Sequence, residues 1–518
     1  MDMRKRIFII MLLVATVAQA QITFNAKRCV HAMEGLSYMP THDHNGMMRS
    51  NSTSTTDGLG SYGKSANGLI KSIGSPTIPV LMVDFPDVKF NEVTTMEKVS
   101  RIFNEEGYAD EPNCRGSVRD YYRDNSGGLF SPSFEVIGQV SVSKECEYYG
   151  ANSSTSHYIR IKDFVKEAIA VAQEAGIDFS KYVEGTTVPM VIFYFAGPGE
   201  NSCPHEDAFG EVDHSYEKYI WPHFNDYAFT SGGISFSSYY VGSEWRYSYK
   251  ISDEGKYVPA SGSSDGIGIL IHEFMHSLGM PDFYPTNGGF YETPDWWSVM
   301  DYGEYYANAY RPVGMTAYER SYLGWLDIKE LGNEEEAVTL GPGEAAVVRN
   351  QANTNEYYVI ENRQPGTWYP DKYGSGLLVM HVDYLSSVWL NNRLNNDKNH
   401  LRMKVKWADG VWTGSSLPSP LNWEDMRRDL YGYAEDLPTS ITDWAPYTAG
   451  TVNPVYDIRI DDDGQAVFSY ITEGISTGVG AVVATTTGSA DAYALDGRCV
   501  SHPTKGLYIM NGKKVVVK

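Results

Sequence analysis

The apolar positions of this chain first become continuous at Ile78-Pro79-Val80-Leu81-Met82-Val83-Asp84-Phe85, a run that reads as a strand buried on both faces. Ser117 to Tyr122 is predicted helical, and Asn125-Ser126-Gly127-Gly128 marks a turn. Phe134 to Val142 alternates with the period of a strand. Ile159 to Ala175 repeats its Ala, Val and Ile positions with the period of a helix, and Val188 to Phe195 is a second buried strand. Strands alternating with helices predict an α/β (α+β) domain over residues 77–330. Within it, Ser264 and Asp265 are placed to cap a helix over Gly266 to Leu278, and Gly279 suits the turn that ends it. From Leu331 the pattern shortens. Val338 to Leu340, Ala346 to Arg349, Glu356 to Asn362 and Leu377 to Val382 read as strands of a separate β-sandwich-like module over residues 331–473, ending near Tyr470-Ile471.

The flanks have a different texture. Arg4, Lys5 and Arg6, the apolar run Ile7 to Val17 and Ala18-Gln19-Ala20 have the layout of a secretory signal peptide over residues 1–20. The run is shorter than the ~20 residues a membrane span needs, so stable membrane insertion is not expected. Residues 21–76 are read as a pro-region, with a Ser/Thr/Gly/Asn-rich stretch from Arg49 to Lys71. Residues 474–491 are rich in Gly, Thr and Ala and read as a linker to a short tail, residues 492–518. The net charge of −23 disfavours nucleic acid as a partner. Five cysteines are too few for a disulfide scaffold, although Cys114 and Cys146 could pair.

Candidate chemistry concentrates on His272-Glu273-Phe274-Met275-His276. Imidazoles four residues apart on a helix share one face, with Cβ atoms about 5–6 Å apart, close enough to hold one Zn²⁺. Glu273 beside the first histidine is placed to act as a general base towards a metal-activated water. Gly279 lets the chain leave the helix sharply, so Asp282 can return as a third ligand. A downstream glutamate is the rival. Pro294 disfavours Glu292 in that role, whereas Glu304 and Glu319 stay open.

Trp297-Ser298-Val299-Met300-Asp301-Tyr302-Gly303 resembles the Met-turn of metzincins, and Tyr302, two residues past Met300, then becomes a candidate hydrogen-bond donor to the oxyanion. With these segments in view, the chain resembles the immune inhibitor A family of metallopeptidases. The likeness runs from Ile78 to Leu326 through Ile78-Pro79-Val80-Leu81-Met82-Val83-Asp84-Phe85-Pro86-Asp87, Val118-Arg119-Asp120-Tyr121-Tyr122, Trp221-Pro222-His223 and Tyr318-Glu319-Arg320-Ser321-Tyr322-Leu323-Gly324-Trp325-Leu326. It implies a metzincin-like catalytic domain, a Zn²⁺ cofactor on His272, His276 and Asp282, Glu273 as base, protein or peptide substrates, and a proenzyme acting outside the cell or at its surface. Tyr493-Ala494-Leu495-Asp496-Gly497-Arg498 and Gly506-Leu507-Tyr508-Ile509 resemble the sorting tail read by the Por (type IX) secretion machinery.

Other features read more simply. Asp461-Asp462-Asp463-Gly464 could touch a structural Ca²⁺ but has the composition of a turn. Cys203, His205 and Glu206, with His214 and His223 further on, lack the spacing of a known metal site. His381 reads as a packed strand residue, and Cys29 as a weak candidate for a latency ligand. The alternative from another functional class is an adhesin or glycan-binding protein with a degenerate peptidase domain. The intact Glu273 argues against it.

Overall fold

A computed structural model describes residues 57–60, 69–153, 158–205, 207–212, 214–289, 291–412, 423–475, 492–494, 499–500, 505–510 and 513–517. The expected signal peptide, residues 476–491 of the expected linker, and Cys29 and Glu206 lie outside these residues.

The first body is built on a six-stranded sheet with the order β2-β1-β3-β7-β4, and β8 added to β7. β1 (Thr77–Asp84) lies parallel to both β2 (Ser133–Ser141) and β3 (Val191–Pro198). The apolar run of β1 is continuous because both faces are covered. Val80 and Met82 enter one hydrophobic core, and Leu81 and Val83 enter another. β3 divides in the same way, with Ile192 and Tyr194 on one side and Val191, Phe193 and Phe195 on the other. Three helices are labelled on this sheet: α1 (Met96–Asn104) and α2 (Val118–Asn125), which contribute to the first core, and α3 (Ile161–Glu174), which closes the second with Phe164, Val165, Ala168, Ile169 and Ala172. α2 starts on a capping box between Ser117 and Asp120.

The sequence pattern missed the other edge of the sheet. β4 (His223–Asn225) runs antiparallel to β7 (Tyr239–Ile251), after which β7 continues into a long hairpin with β8 (Tyr257–Ser264). Between β4 and β7 lies the small pair β5 (Phe229–Ser231) and β6 (Ile234–Phe236). β8 is largely exposed and rich in Ser, so it carries no apolar alternation to reveal it.

The expected second module contains two sheets. β9 (Lys329–Leu331), β11 (Ala345–Asn350), β12 (Asn353–Arg363), β13 (Gly376–Asp383) and β14 (Met403–Val405) form one; β10 (Glu336–Leu340), β15 (Val455–Ile460) and β16 (Ala466–Tyr470) form the other. Ala346, Val348, Tyr358, Ile360, Leu377 and Val379 of the five-stranded sheet share a core with Val338, Leu340, Val455, Ala466 and Phe468 of the three-stranded one. The opposite face, Val347, Tyr357, Val359, Leu378, Met380 and Val382, enters the same core as the helices of the first body. The two regions are therefore one packed structure at this face.

Parts of the expected pro-region are packed as well. Tyr357 Oη donates to the Asp57 carbonyl at 2.7 Å, Ile70 is buried, and Trp325 Nε1 donates to the Ser72 carbonyl at 2.6 Å. The tail strands Ala492–Ala494, Cys499–Val500, Gly506–Met510 and Lys513–Val517 pair with one another in a four-stranded sheet. Cys114 and Cys146 are free. Cys114 and Cys146 belong to different cores on opposite faces of the sheet, which rules out their pairing here. No helix among the described residues is long and apolar enough to cross a membrane.

Candidate metal centre

The helix that carries the candidate ligands, α4 (Gly268–Ser277), is buried at every position, so its histidines do not form a solvent-facing pair. Its sequence is apolar almost all round, as a helix packed on all sides requires. The predicted start is corrected. The N-cap is Ile267, and Asp265 instead accepts from Ser243 Oγ at 2.5 Å and from Arg246 Nε at 3.1 Å. The first turn is glycine for a steric reason: a Cβ at Gly268 would stand 2.0 Å from the Glu304 carbonyl oxygen. Gly268→Ala is expected to cost about 1–3 kcal/mol through overpacking, read as a lower Tm in calorimetry. An unchanged Tm would show that the contact is soft.

The exit of α4 sets the rest of the site. Gly279 has φ +94°, Met280 N–H donates to the Met275 carbonyl at 3.2 Å, and Gly279 N–H donates to the His276 carbonyl at 2.9 Å. This is a Schellman turn, and it sends Pro281 and Asp282 back beneath the helix. His272 Nε2 and His276 Nε2 then lie 2.9 Å and 3.3 Å from the same atom, Asp282 Oδ1. The other ring nitrogen of each histidine meets a backbone carbonyl: His272 Nδ1 is 2.9 Å from Val299 O and His276 Nδ1 is 2.7 Å from Met280 O. With both Nδ1 atoms engaged, both Nε2 atoms face the aspartate.

The donor set suits a small divalent ion. Ligand atoms held about 2.0–2.2 Å from a tetrahedral metal stand roughly 3.3–3.6 Å apart. One of the two nitrogen–oxygen separations meets that edge, and the other falls a few tenths of an ångström inside it. Charge agrees with the geometry. Burial by itself would raise the Asp282 carboxyl, but the facing His276 and His272 hold it well below the usual carboxylate range. Burial would lower His272, but Glu304 and Asp282 outweigh it and hold it well above its ordinary value. A proton on His272 here occupies a position that a cation would take.

Glu273 is the second carboxylate facing the histidines. Its carboxylate lies within 4.8 Å of a nitrogen of each, but Oε2 is 4.0 Å from His276 Nε2, farther than Asp282 Oδ1, and it accepts from Phe224 N–H at 2.7 Å. Phe224 belongs to β4, so the edge of the sheet orients this carboxylate. The rival glutamates are placed elsewhere. Glu304 Oε2 lies 3.6 Å from His272 Nδ1, the side turned away from Asp282, and burial pushes its carboxyl up to about 8. Glu319 accepts from Ser298 Oγ and Met300 N–H with one oxygen and from Thr316 N–H with the other. Glu292 accepts from Trp407 Nε1.

The segment around Met300 supports the centre from below. Val299 receives His272, and the Met300 carbonyl accepts from Phe283 N–H at 2.8 Å. Tyr302 opens the 3-10 turn Tyr302–Tyr305, and its ring packs 6.1 Å from that of Trp296. A tyrosine that the sequence pattern did not single out meets a candidate ligand: the Tyr284 ring is stacked on the His272 imidazole at 6.1 Å and 14°. Its place two residues beyond Asp282 was the only sequence signal for it.

The features set aside in the sequence have partners of their own. His223 Nδ1 lies 2.8 Å from Trp221 O, His214 pairs with Glu217, and His381 pairs with Glu356 inside the sheet. Asp461 Oδ1 accepts from Asp463 N–H and Gln465 N–H, as a turn does. Among the described residues the one cluster of three His, Cys, Asp or Glu side chains with metal-ligand spacing is His272, Glu273 and His276.

Comparison with known proteins converges on the same segment. Immune inhibitor A of Bacillus thuringiensis subsp. alesti is 25% identical over 307 residues, which cover 49% of this chain and 41% of that protein. The pre-pro-metalloprotease PrtV of Vibrio cholerae serotype O1 (strain M66-2) is 23% identical over 308 residues, 50% of this chain and 31% of the relative. The chain thus spans less than half the length of either. Over residues 74–188 and 220–329, which carry the sheet apart from β3, together with α4 and the loop of Asp282, the chain matches the catalytic domain of the immune inhibitor A peptidases, M6.

Proposed function

We propose that this chain is an exported zinc-dependent endopeptidase. The observation that carries the proposal is the convergence of His272 Nε2 and His276 Nε2 on Asp282 Oδ1, with the Glu273 carboxylate on the same side. His272, His276 and Asp282 would hold the ion. When bound, zinc lowers the pKa of a coordinated water and polarises the scissile carbonyl. Glu273, oriented by Phe224 N–H, takes a proton from the attacking water and returns it to the leaving amine. Tyr302 and Tyr284 are the candidate hydroxyl donors to the developing oxyanion. Protein substrates follow from the peptidase match, and export rests on the leader-like residues 1–20. A metzincin-like reading is supported by the helix, the Schellman turn and the Met300 segment beneath the ligands. A sandwich-like reading of the second region is supported by the core its two sheets share.

The degenerate-domain alternative is disfavoured because ligands and base come together with no member missing. Metal content decides the matter. After dialysis against a mild chelator, Asp282→Ala is expected to lose zinc while Glu304→Ala and Glu319→Ala keep it. Wild-type protein is expected to digest casein and to leave a mucin-type glycan intact. Zinc retained by Asp282→Ala and lost from a glutamate variant would reassign the third ligand, and absence of zinc from wild-type protein would remove the proposal.

A further inference from the structure

We infer that Asn392 is a positioning residue of this centre, aiming the Asp282 carboxylate at the two histidines. The inference rests on the metal-site reading above and concerns a residue outside the matched peptidase segment.

Asn392 grips Asp282 at two points. Asp282 N–H donates to Asn392 Oδ1 at 2.7 Å, and Asn392 Nδ2 donates to Asp282 Oδ2 at 2.6 Å. The orientation of the amide is fixed by its partners, since a backbone N–H must face the oxygen and the nitrogen is then left for the carboxylate. With Oδ2 held in this way, Oδ1 is the oxygen turned to His272 and His276. A ligating carboxylate whose second oxygen is hydrogen-bonded keeps a single orientation.

The surroundings of Asn392 suit that role. It is buried, and its backbone is left-handed, with φ 51°. Asparagine is among the few side chains that adopt this conformation readily, and its amide makes local hydrogen bonds there. It follows the short helix Ser386–Leu390, whose buried Trp389 is anchored by a 2.8 Å bond from Nε1 to Tyr318 Oη. Its neighbours hold the same loop by other atoms: Asn395 Nδ2 donates to the Phe283 carbonyl at 2.6 Å, and Asn396 Oδ1 accepts from Thr286 N–H at 2.7 Å. Asn392 alone of these three touches the carboxylate, which separates aiming the ligand from bracing the loop.

The test is zinc affinity by chelator competition, with the absorption spectrum of the cobalt-substituted protein as a second readout. Asn392→Asp keeps the left-handed backbone and the acceptor for Asp282 N–H but replaces the amide donor by a second carboxylate. Asn392→Gly keeps the backbone and removes both bonds. Both variants are expected to bind zinc about 10–100-fold more weakly and to shift the cobalt bands, as loss of an outer-shell partner does. Asn396→Ala is expected to stay within about threefold of wild type. Wild-type affinity in both Asn392 variants, with zinc lost from Asp282→Ala, overturns the positioning role and leaves the metal site standing. Equal weakening in Asn396→Ala also overturns it, because bracing the loop would then suffice. Zinc retained by Asp282→Ala overturns the inference together with the reading on which it rests.

Discussion

Glu273→Gln is expected to bind zinc as the wild type does and to lose about 10²–10⁴-fold in kcat/KM. That is the range associated with a positioned general acid–base group, and in the proposed mechanism one carboxylate serves both proton transfers. Glutamine is the informative substitution because it keeps an oxygen for Phe224 N–H, which donates to Glu273 at 2.7 Å in a buried setting. Alanine would leave that N–H unsatisfied and mix a folding cost of about 1–3 kcal/mol with the chemical one. The ligands contact the metal through other atoms, so zinc stoichiometry and Tm should be unchanged while hydrolysis of casein collapses. Near-wild-type turnover in the glutamine variant would show that another group carries the proton.

A chain ending after residue 330, where the sequence pattern puts a domain boundary, is expected to fail to fold and to bind no zinc. The cut exposes the first core along one face, stripping it of Tyr357, Leu378, Met380, Val382, Trp389 and Met403, all buried against the catalytic body. Large apolar side chains contribute about 1.5–3 kcal/mol each on full burial, so a handful exceeds the ~5–15 kcal/mol that stabilises a whole domain. Polar anchors go with them. Arg363 donates to the carbonyls of Met315 and Gly314, Glu361 accepts from Ala317 N–H at the start of α5 (Ala317–Tyr322), and Asp429 accepts from Trp297 Nε1. α5 in turn places Glu319 against Met300. A chain ending at residue 475 is the control, because the strands after it pair with one another, and it should keep its zinc and its Tm. A folded, zinc-binding product from the shorter chain would show that the second region is a separable module.

Much of the site was legible in the sequence because it is local. His272, Glu273 and His276 share a face by helical spacing, and Gly279 is required by a left-handed turn at the end of a helix. Both facts depend on backbone geometry within a few residues. The strands from Thr77 and Val191 were legible because a fully buried strand must be apolar throughout. The exposed hairpin after Glu244 was not, since solvent-facing serines leave no pattern. Cys114 and Cys146 looked pairable until the sheet was seen to stand between them. Other features were settled only by tertiary contacts. Asp282, Glu304 and Glu319 are equivalent as donors along the chain, but Glu319 is held by Ser298, Met300 and Thr316, and what separates the other two is which nitrogen of His272 each faces. Val299 O decides that by engaging Nδ1. The amide that orients Asp282 comes from Asn392, 110 residues away, on a helix-to-strand connection that belongs by pattern to another module. The sequence by itself determined that His272, Glu273 and His276 share one helix face and that a turn brings Asp282 back to them. The fold alone set Asp282 against both Nε2 atoms, because a carboxylate's direction is set by whatever hydrogen-bonds its second oxygen, and that partner can come from anywhere in the chain.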